Sequence, residues 1–477
     1  MSAAPVTLDE AAPRPQLSLV DTTSIIVGII IGSAIYESSP GIASGAGKWA
    51  ESLALSVKAA PEQAQGAAMA ALVGVWVAGA LIALVGALCY AELATAYPRA
   101  GGTYVFLTEA FGKNVGFAFA WAEFWIVRPG NVGAIAFVLA NYARQILAPQ
   151  AKGDPVLEVG LAVAAIVVLT LVNAAGLRAG KWTQNLLTAG KLLGLAAIVV
   201  TAFTLPRPTA AAPIVAEKFQ TIGFALIMVM FAYGGWTDMS FVAAEVRHPE
   251  RNIFRALVLG TSVVAAIYLA LTLAFVWALG IGGLTQSSAV AAEVVKLRFN
   301  NAGAVAISVL VVVSCLGAIN GMLFTGARVY YALGTEHPVF RWLGTWDGRS
   351  GMPLRSLAVQ SAVTVALVVG FGQYEGGFGR LVVFTAPFYW AFIALVGVAL
   401  IVLRVRSAIA AATFRAPLFP LTPAIFALSC GAMVYASLDF AYRNRAWEMA
   451  WAIAVVLAGV IVGLVDHAAF RHSAAHR

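Results

Sequence analysis

Runs of about 20 apolar residues recur along the whole chain, and that is the length a helix needs to cross the hydrocarbon core of a bilayer. Nothing else in the sequence limits the fold so strongly. Twelve candidate spans fall at 22–46, 68–96, 115–146, 156–175, 183–204, 217–246, 253–280, 301–333, 355–372, 378–403, 421–440 and 447–468. The third, eighth and tenth are long enough to require tilt or an extension beyond the bilayer. The expected fold class is therefore an all-α integral membrane protein. Composition agrees. Only 11% of the 477 residues are charged and 61% are hydrophobic, whereas soluble domains average about 25% charged residues. The net charge of +8 is accordingly read as loop topology and not as nucleic-acid binding.

Cys89, Cys315 and Cys430 all lie within apolar runs, without metal or CxxC spacing, so neither a disulfide framework nor a metal site is expected. The first 20 residues are polar and proline-containing. They lack the basic and apolar regions of a signal peptide and read as a disordered cytoplasmic leader. Lys and Arg are more frequent in the segments that share a side with the N-terminus, such as Arg247, Arg251 and Arg255, or Arg328, Arg341, Arg349 and Arg355. That bias places both termini in the cytoplasm of a multi-pass cell-membrane protein.

Two spans are interrupted. GIIIGSAIYESSPG at 28–41 puts Gly32, Ser33 and Ala34 in the middle of an apolar helix, with Glu37 just beyond. FAYGGW at 231–236 puts Gly234 and Gly235 in the sixth span, with Asp238 just beyond. Glycine weakens a helix because it tolerates any dihedral and gains no side-chain packing. Five spans separate the two breaks, so the second block enters the membrane from the opposite side. One discontinuous helix in each of two inverted repeats is the sequence pattern of a transporter's binding site. The expected organisation is a first repeat at 21–205, an inverted second repeat at 206–405, and two further helices with a short tail at 406–477.

Unwound backbone is tolerated at membrane depth only where it lines a cavity. At such a break one half-helix offers amide N–H groups, which attract a carboxylate; the other offers carbonyls, which attract an ammonium. A site with both suits the two ends of an α-amino acid. The alternative is that the glycines only let helices pack closely, which two breaks at matching repeat positions disfavour.

The motifs IIVGIIIGSAIY at 25–36, YAELATAYPRAGGTYVFLTEAFG at 90–112, WIVRPGN at 125–131, GKWTQNLLTAGKLLGLA at 180–196, FAYGGWTDMSFVAAEVRHPERNI at 231–253 and SCLGAINGMLFTGARVYYAL at 314–333 occur in this order. Together they resemble the amino acid–polyamine–organocation superfamily, most closely bacterial relatives of the L-type amino acid transporters. The resemblance covers about 20–440. It implies the LeuT-like fold of five plus five inverted helices and two more. By the same resemblance the amides of Gly32, Ser33 and Ala34 would hold a substrate carboxylate. The carbonyls of Ile29, Ile30, Phe231, Ala232 and Gly234 would hold its ammonium. Phe231 would be an aromatic gate, and Trp236 and Ser314 would shape the side-chain pocket. Lys191 matches a lysine that stands where sodium-driven relatives bind sodium, and is the candidate coupling residue, with protons as the candidate coupling ion.

Four features depart from the family pattern. Ala34 stands where the family usually has glycine, which narrows the pocket or stiffens the break. Residues 47–66 form a longer outer loop than usual, read as a tolerated insertion with a short surface helix or lid as the other option. The loop near 147–155 lacks the cysteine by which animal relatives pair with a glycoprotein heavy chain, so no such partner is expected. Glu37 and Asp238 add carboxylates beyond the breaks. Helix capping explains these two acids, and so would recognition of a second positive charge on the substrate.

Other charges inside spans have structural explanations. Arg128 is expected to snorkel to the outer interface, with a ligand role as the other reading. Glu123, five residues before it, is off the three- or four-residue spacing of helical neighbours. Glu92 and Glu245, near span ends, are either solvated or paired with Arg99 and Arg247. His248 lies in a loop beside Pro249. No HExxH, GxSxG or GxxxxGK[ST] pattern occurs, so neither an intramembrane enzyme nor ATP-driven transport is supported, and no cofactor is expected. The sequence reads as a secondary transporter of neutral or broad-range amino acids, by proton-coupled uptake or exchange. A cationic amino acid or polyamine carrier is the alternative, and a non-transporting sensor is less favoured because the tail after the last span is short.

Overall fold

The computed structural model describes residues 12–475 except 59, 151–153, 209–211, 217–219, 288, 373–376, 410–411 and 444–446. Among them it has 12 helices long and apolar enough to cross a membrane. In order they are Leu19–Glu37, Glu62–Ala96, Lys113–Leu147, Pro155–Ala174, Leu177–Phe203, Ile222–Glu245, Pro249–Gln286, Ala302–Glu336, Leu354–Phe371, Arg380–Val405, Leu421–Arg443 and Glu448–Asp466, referred to below as spans one to twelve. No strand occurs among the described residues, and β-pairing is limited to two isolated bridges. The all-α membrane architecture expected from the apolar runs is what the chain adopts.

Lipid-facing and interior helices separate by burial. Spans four, five and twelve expose most of their apolar surface: Leu171, Leu186, Leu193 and Leu457 point outward, as they can where the surroundings are as apolar as leucine. Spans one and three are the most enclosed, each buried along most of its length.

The entry to span one is fixed locally. Ser18 caps the helix by accepting from the Asp21 amide at 3.2 Å, while the Asp21 carboxylate accepts from the Ser18 amide at 2.9 Å, a reciprocal capping box. Leu17 just before it pairs with Val246, and its amide donates to the Glu245 carbonyl at 2.8 Å. Order therefore reaches further toward the N-terminus than the expected leader of 1–20; residues 1–11 lie outside the described residues.

The outer loop expected at 47–66 is mostly helix. After a bend at Ser38, Ser39–Ser56 continues span one as an α-helix, and the next helix begins at Pro61. Proline at the first helical turn has no amide to leave unpaired, which lets span two start that early. Only a short connection, including residue 59 outside the described residues, is left between them.

The acids at span ends pair with partners other than the expected ones. Glu245 takes a bidentate bond from Arg328 of span eight, at 2.7 and 2.8 Å, with both side chains fully buried. Glu92 is gripped by Arg404 of span ten at 2.6 and 2.5 Å and by the Ala416 amide at 2.7 Å. Arg99 pairs with Glu109. In each buried case a planar guanidinium from another helix outcompetes the nearby loop arginine, because it supplies two parallel donors without leaving the protein interior. Lys181 and Asn185 of span five also hold Asp21. Near Leu17, span one is thus tied to span five through Asp21, and span six to span eight through Glu245.

Candidate functional site

Span one is helical over Leu19–Ile30 and resumes at Ala34. Within the break the Ile31 amide donates to Val27 at 3.0 Å and the Gly32 amide donates to the Ile30 carbonyl at 2.8 Å. Among the described residues the amides of Ser33, Ala34 and Ile35 have no backbone acceptor, as expected where a helix begins. Two of the three amides assigned to a carboxylate are thus free, and the third, Gly32, is engaged internally.

Span six is α-helical over Ile222–Ala232 and continues as a tighter 3₁₀ helix over Trp236–Glu245. Gly235 between them has φ +108°, a left-handed conformation that glycine adopts without steric cost. A Cβ there would lie 2.6 Å from Ile29 Cγ2, so the glycine also lets the two breaks touch.

Three side chains tie this unwound backbone together. Lys191, fully buried in span five, donates to the carbonyls of Gly28 at 2.8 Å, Ile31 at 2.6 Å and Ser314 at 2.9 Å. An ammonium has three donors, and all three are used. Ser314 of span eight donates to the carbonyls of Ile31 and Gly32, both at 3.0 Å. Tyr268 of span seven reaches the Ile30 carbonyl at 3.1 Å and the Ala232 carbonyl at 3.3 Å, bridging one break to the other. Of the carbonyls assigned to an ammonium, those of Ile30 and Ala232 thus meet Tyr268, and that of Phe231 accepts from the Gly234 amide at 3.0 Å. Those of Ile29 and Gly234 accept no hydrogen bond among the described residues. Tyr268 carries no sequence signal that separates it from an ordinary buried tyrosine.

A cavity of about 90 Å³ opens between the breaks and spans three and ten. By the same measure one water needs about 10–15 Å³, so the space takes a group of several atoms. Ile29, Ile30, Gly32, Ser33, Ala34, Phe231, Gly234 and Asp238 are on its wall. Ala232, Ser314 and Lys191 stand behind that wall and support it. Trp236 is elsewhere: the turn at Gly235 directs its indole against Tyr90 of span two and Phe426 of span eleven, with ring centroids 5.0 and 5.8 Å away. Glu37 is exposed, beside Tyr142 of span three, and is not on the cavity wall.

The opposite wall holds an ion cluster that sequence spacing does not reveal. Arg128 does not snorkel; it is 4% exposed and lies between two carboxylates. Its Nε donates to Glu123 Oε1 at 2.7 Å, and Nη2 approaches the same oxygen at 2.6 Å. Its Nη1 and Nη2 donate to the two oxygens of Asp238. Thr325 of span eight adds a bond to Asp238 at 3.1 Å. The cause is a π-helical turn over Glu123–Val127, in which the Arg128 amide bonds back to the Glu123 carbonyl. An i→i+5 turn brings residues five apart onto one face, which a regular α-helix would not.

A family model described as amino acid permease matches residues 17–461. The b(0,+)-type amino acid transporter 1 of Mus musculus is 27% identical over 94% of this chain and 87% of that protein. The large neutral amino acids transporter small subunit 2 of Oryctolagus cuniculus is 30% identical over 76% of this chain and 66% of that protein. The Asc-type amino acid transporter 1 of Mus musculus is 29% identical over the same shares. With a match along almost its whole length and relatives that are transporters rather than enzymes, this chain belongs to the amino acid permease family of the amino acid–polyamine–organocation superfamily.

Proposed function

We propose that the chain is a secondary active transporter of neutral or broad-range amino acids, working by alternating access as proton-coupled uptake or exchange. The observation that carries this reading is one cavity flanked by free amides at Ser33 and Ala34 and free carbonyls at Ile29 and Gly234, a pairing suited to a zwitterion. The relatives, whose names specify amino acid transport, support it. A cationic amino acid or polyamine substrate is the second reading, favoured by the Asp238 carboxylate on the cavity wall. The setting we infer is the cell membrane, with both termini cytoplasmic and no glycoprotein heavy chain as partner. The two broken spans fit repeats at 21–205 and 206–405, followed by 406–477. Counterflow of labelled amino acids into proteoliposomes tests the transport reading: accumulation against an internal pool of leucine is expected, and binding without counterflow would assign a sensor instead.

Lys191 is the coupling residue in this scheme. Its three bonds fasten span five to the break in span one and to span eight. Loss of its proton removes an ammonium from among three carbonyls and so loosens the break, which favours opening of the Leu17 end. Lys191→Met is expected to keep substrate binding and to lose pH-dependent uptake. Full pH-dependent transport by that variant would exclude the coupling role.

A further inference from the structure

The cavity wall carries three charged side chains, Glu123, Arg128 and Asp238. Two carboxylates face one guanidinium, which leaves one negative charge at membrane depth. The two acids are not equivalent. Asp238 uses both oxygens on Arg128 and accepts a further bond from Thr325. Glu123, 3% exposed, takes both of its bonds from Arg128 on Oε1 alone, so Oε2 has no hydrogen-bond donor among the described residues. The groups facing this pair from neighbouring elements are neutral: Tyr330 of span eight donates to the Phe124 carbonyl at 2.8 Å, Tyr389 of span ten lines the cavity, and Tyr90 of span two bonds Thr103 at 3.0 Å. Lys191 is committed to the carbonyls behind the break.

An unbalanced buried charge is costly unless something neutralises it. A proton on Glu123 would do so, and so would a cation reaching Oε2 from the cavity. We propose that Glu123, supported by Arg128 and Asp238, is a side-chain subsite that exchanges a proton for the ammonium or guanidinium of a basic amino acid. With a neutral amino acid bound, Glu123 keeps its proton and the cluster is electrically balanced. With lysine or arginine bound, the proton leaves Oε2 for water in the cavity and the side-chain cation takes its place, so the total charge at the wall is the same in both complexes. The two substrate readings above then describe one site in two protonation states. This inference rests on the amino acid transport reading and specifies its substrates.

The sign of the pH effect follows by linkage. The subsite binds a cation only in its ionised form, so affinity for a basic amino acid is present at high pH. That affinity falls by up to about tenfold per pH unit once protons compete for Oε2. The test uses the full chain in proteoliposomes, with labelled leucine counterflow competed by unlabelled arginine or leucine at acidic and mildly alkaline pH, read as the arginine-to-leucine ratio of half-inhibiting concentrations. In the wild type the ratio is expected to rise as pH falls. Glu123→Gln should hold the ratio near its acidic wild-type value at every pH, so that it is raised at mildly alkaline pH and the profile is flat, and Glu123→Asp should restore the pH dependence. Asp238→Asn, which leaves Arg128 balanced by Glu123 alone, should also raise and flatten the ratio, and it serves where the glutamine variant does not fold. A wild-type ratio independent of pH, or a pH-dependent ratio that survives in Glu123→Gln, would overturn the proposal. Absence of leucine counterflow in the wild type would instead remove the transport reading itself.

Discussion

Arg128→Met is expected to be the most destabilising single substitution in the cavity wall, at about 3–5 kcal/mol. The size comes from what it leaves behind. Glu123 and Asp238 are both buried, and both lean on the same guanidinium. Removing it strands the Asp238 carboxylate, and the Glu123 carboxyl beside it, with no counter-charge, whereas removing either acid still leaves Arg128 with a partner. The measurement is thermal unfolding in detergent of Arg128→Met, of Asp238→Asn, and of the triple variant Glu123→Gln/Arg128→Met/Asp238→Asn. The single arginine variant should melt well below the wild type, Asp238→Asn much closer to it, and the triple variant should regain most of the loss because no charge remains to be paired. A wild-type melting point for Arg128→Met would mean that the cluster is hydrated and not buried as a unit.

The same cluster shows where the sequence stops being legible. The twelve spans are readable because crossing a bilayer imposes length and apolarity on contiguous residues, and both properties are local. The two breaks are readable because glycine has a local effect on a helix. The Glu123–Arg128 pair is not, because its spacing makes sense only once the helix is known to take a π turn at Glu123–Val127, and EFWIV carries no distinct signature of one. Its other half, Asp238, lies 110 positions away in sequence. The Arg328–Glu245 and Arg404–Glu92 pairs were hidden for the same reason: the partners come from distant helices, and a reading along the chain favours neighbours such as Arg247 and Arg99.

The break in span one was legible in its location and in part of its chemistry. Gly32 and Ser33 lie in the unwound segment with Ile31, while Ala34 already begins the next half-helix; Gly32 bonds back to Ile30 and leaves the free amides at Ser33, Ala34 and Ile35. That one-residue shift depends on how tightly the chain turns before the next half-helix. The placement of Trp236 depended on Gly235 in the same way. A left-handed residue redirects the chain immediately after it, and the sequence shows a glycine without showing its φ.

Filling the cavity from its own backbone gives the second large expected effect. Gly32→Leu should abolish measurable substrate binding while leaving the protein folded. A Cβ at Gly32 meets Ile135 Cδ1 at 3.6 Å and Ala318 Cβ at 3.8 Å, which are ordinary contacts, so the first carbon fits. The rest of the leucine has to go where the substrate would, since Gly32 is part of the cavity wall. Gly234→Leu should act alike from the other break, with its Cβ 3.1 Å from the Phe231 carbonyl and 3.9 Å from the Tyr389 hydroxyl. Gly235→Ala is the contrast: its φ of +108° and the 2.6 Å approach to Ile29 strain the fold directly, so it should lower the melting temperature. Ligand-induced thermal shift with leucine, measured beside the unliganded melting point, separates the two outcomes. The Gly32 and Gly234 variants should melt near the wild type and show no shift with leucine. A wild-type leucine shift in both would place the substrate away from the breaks and remove the assignment of this cavity.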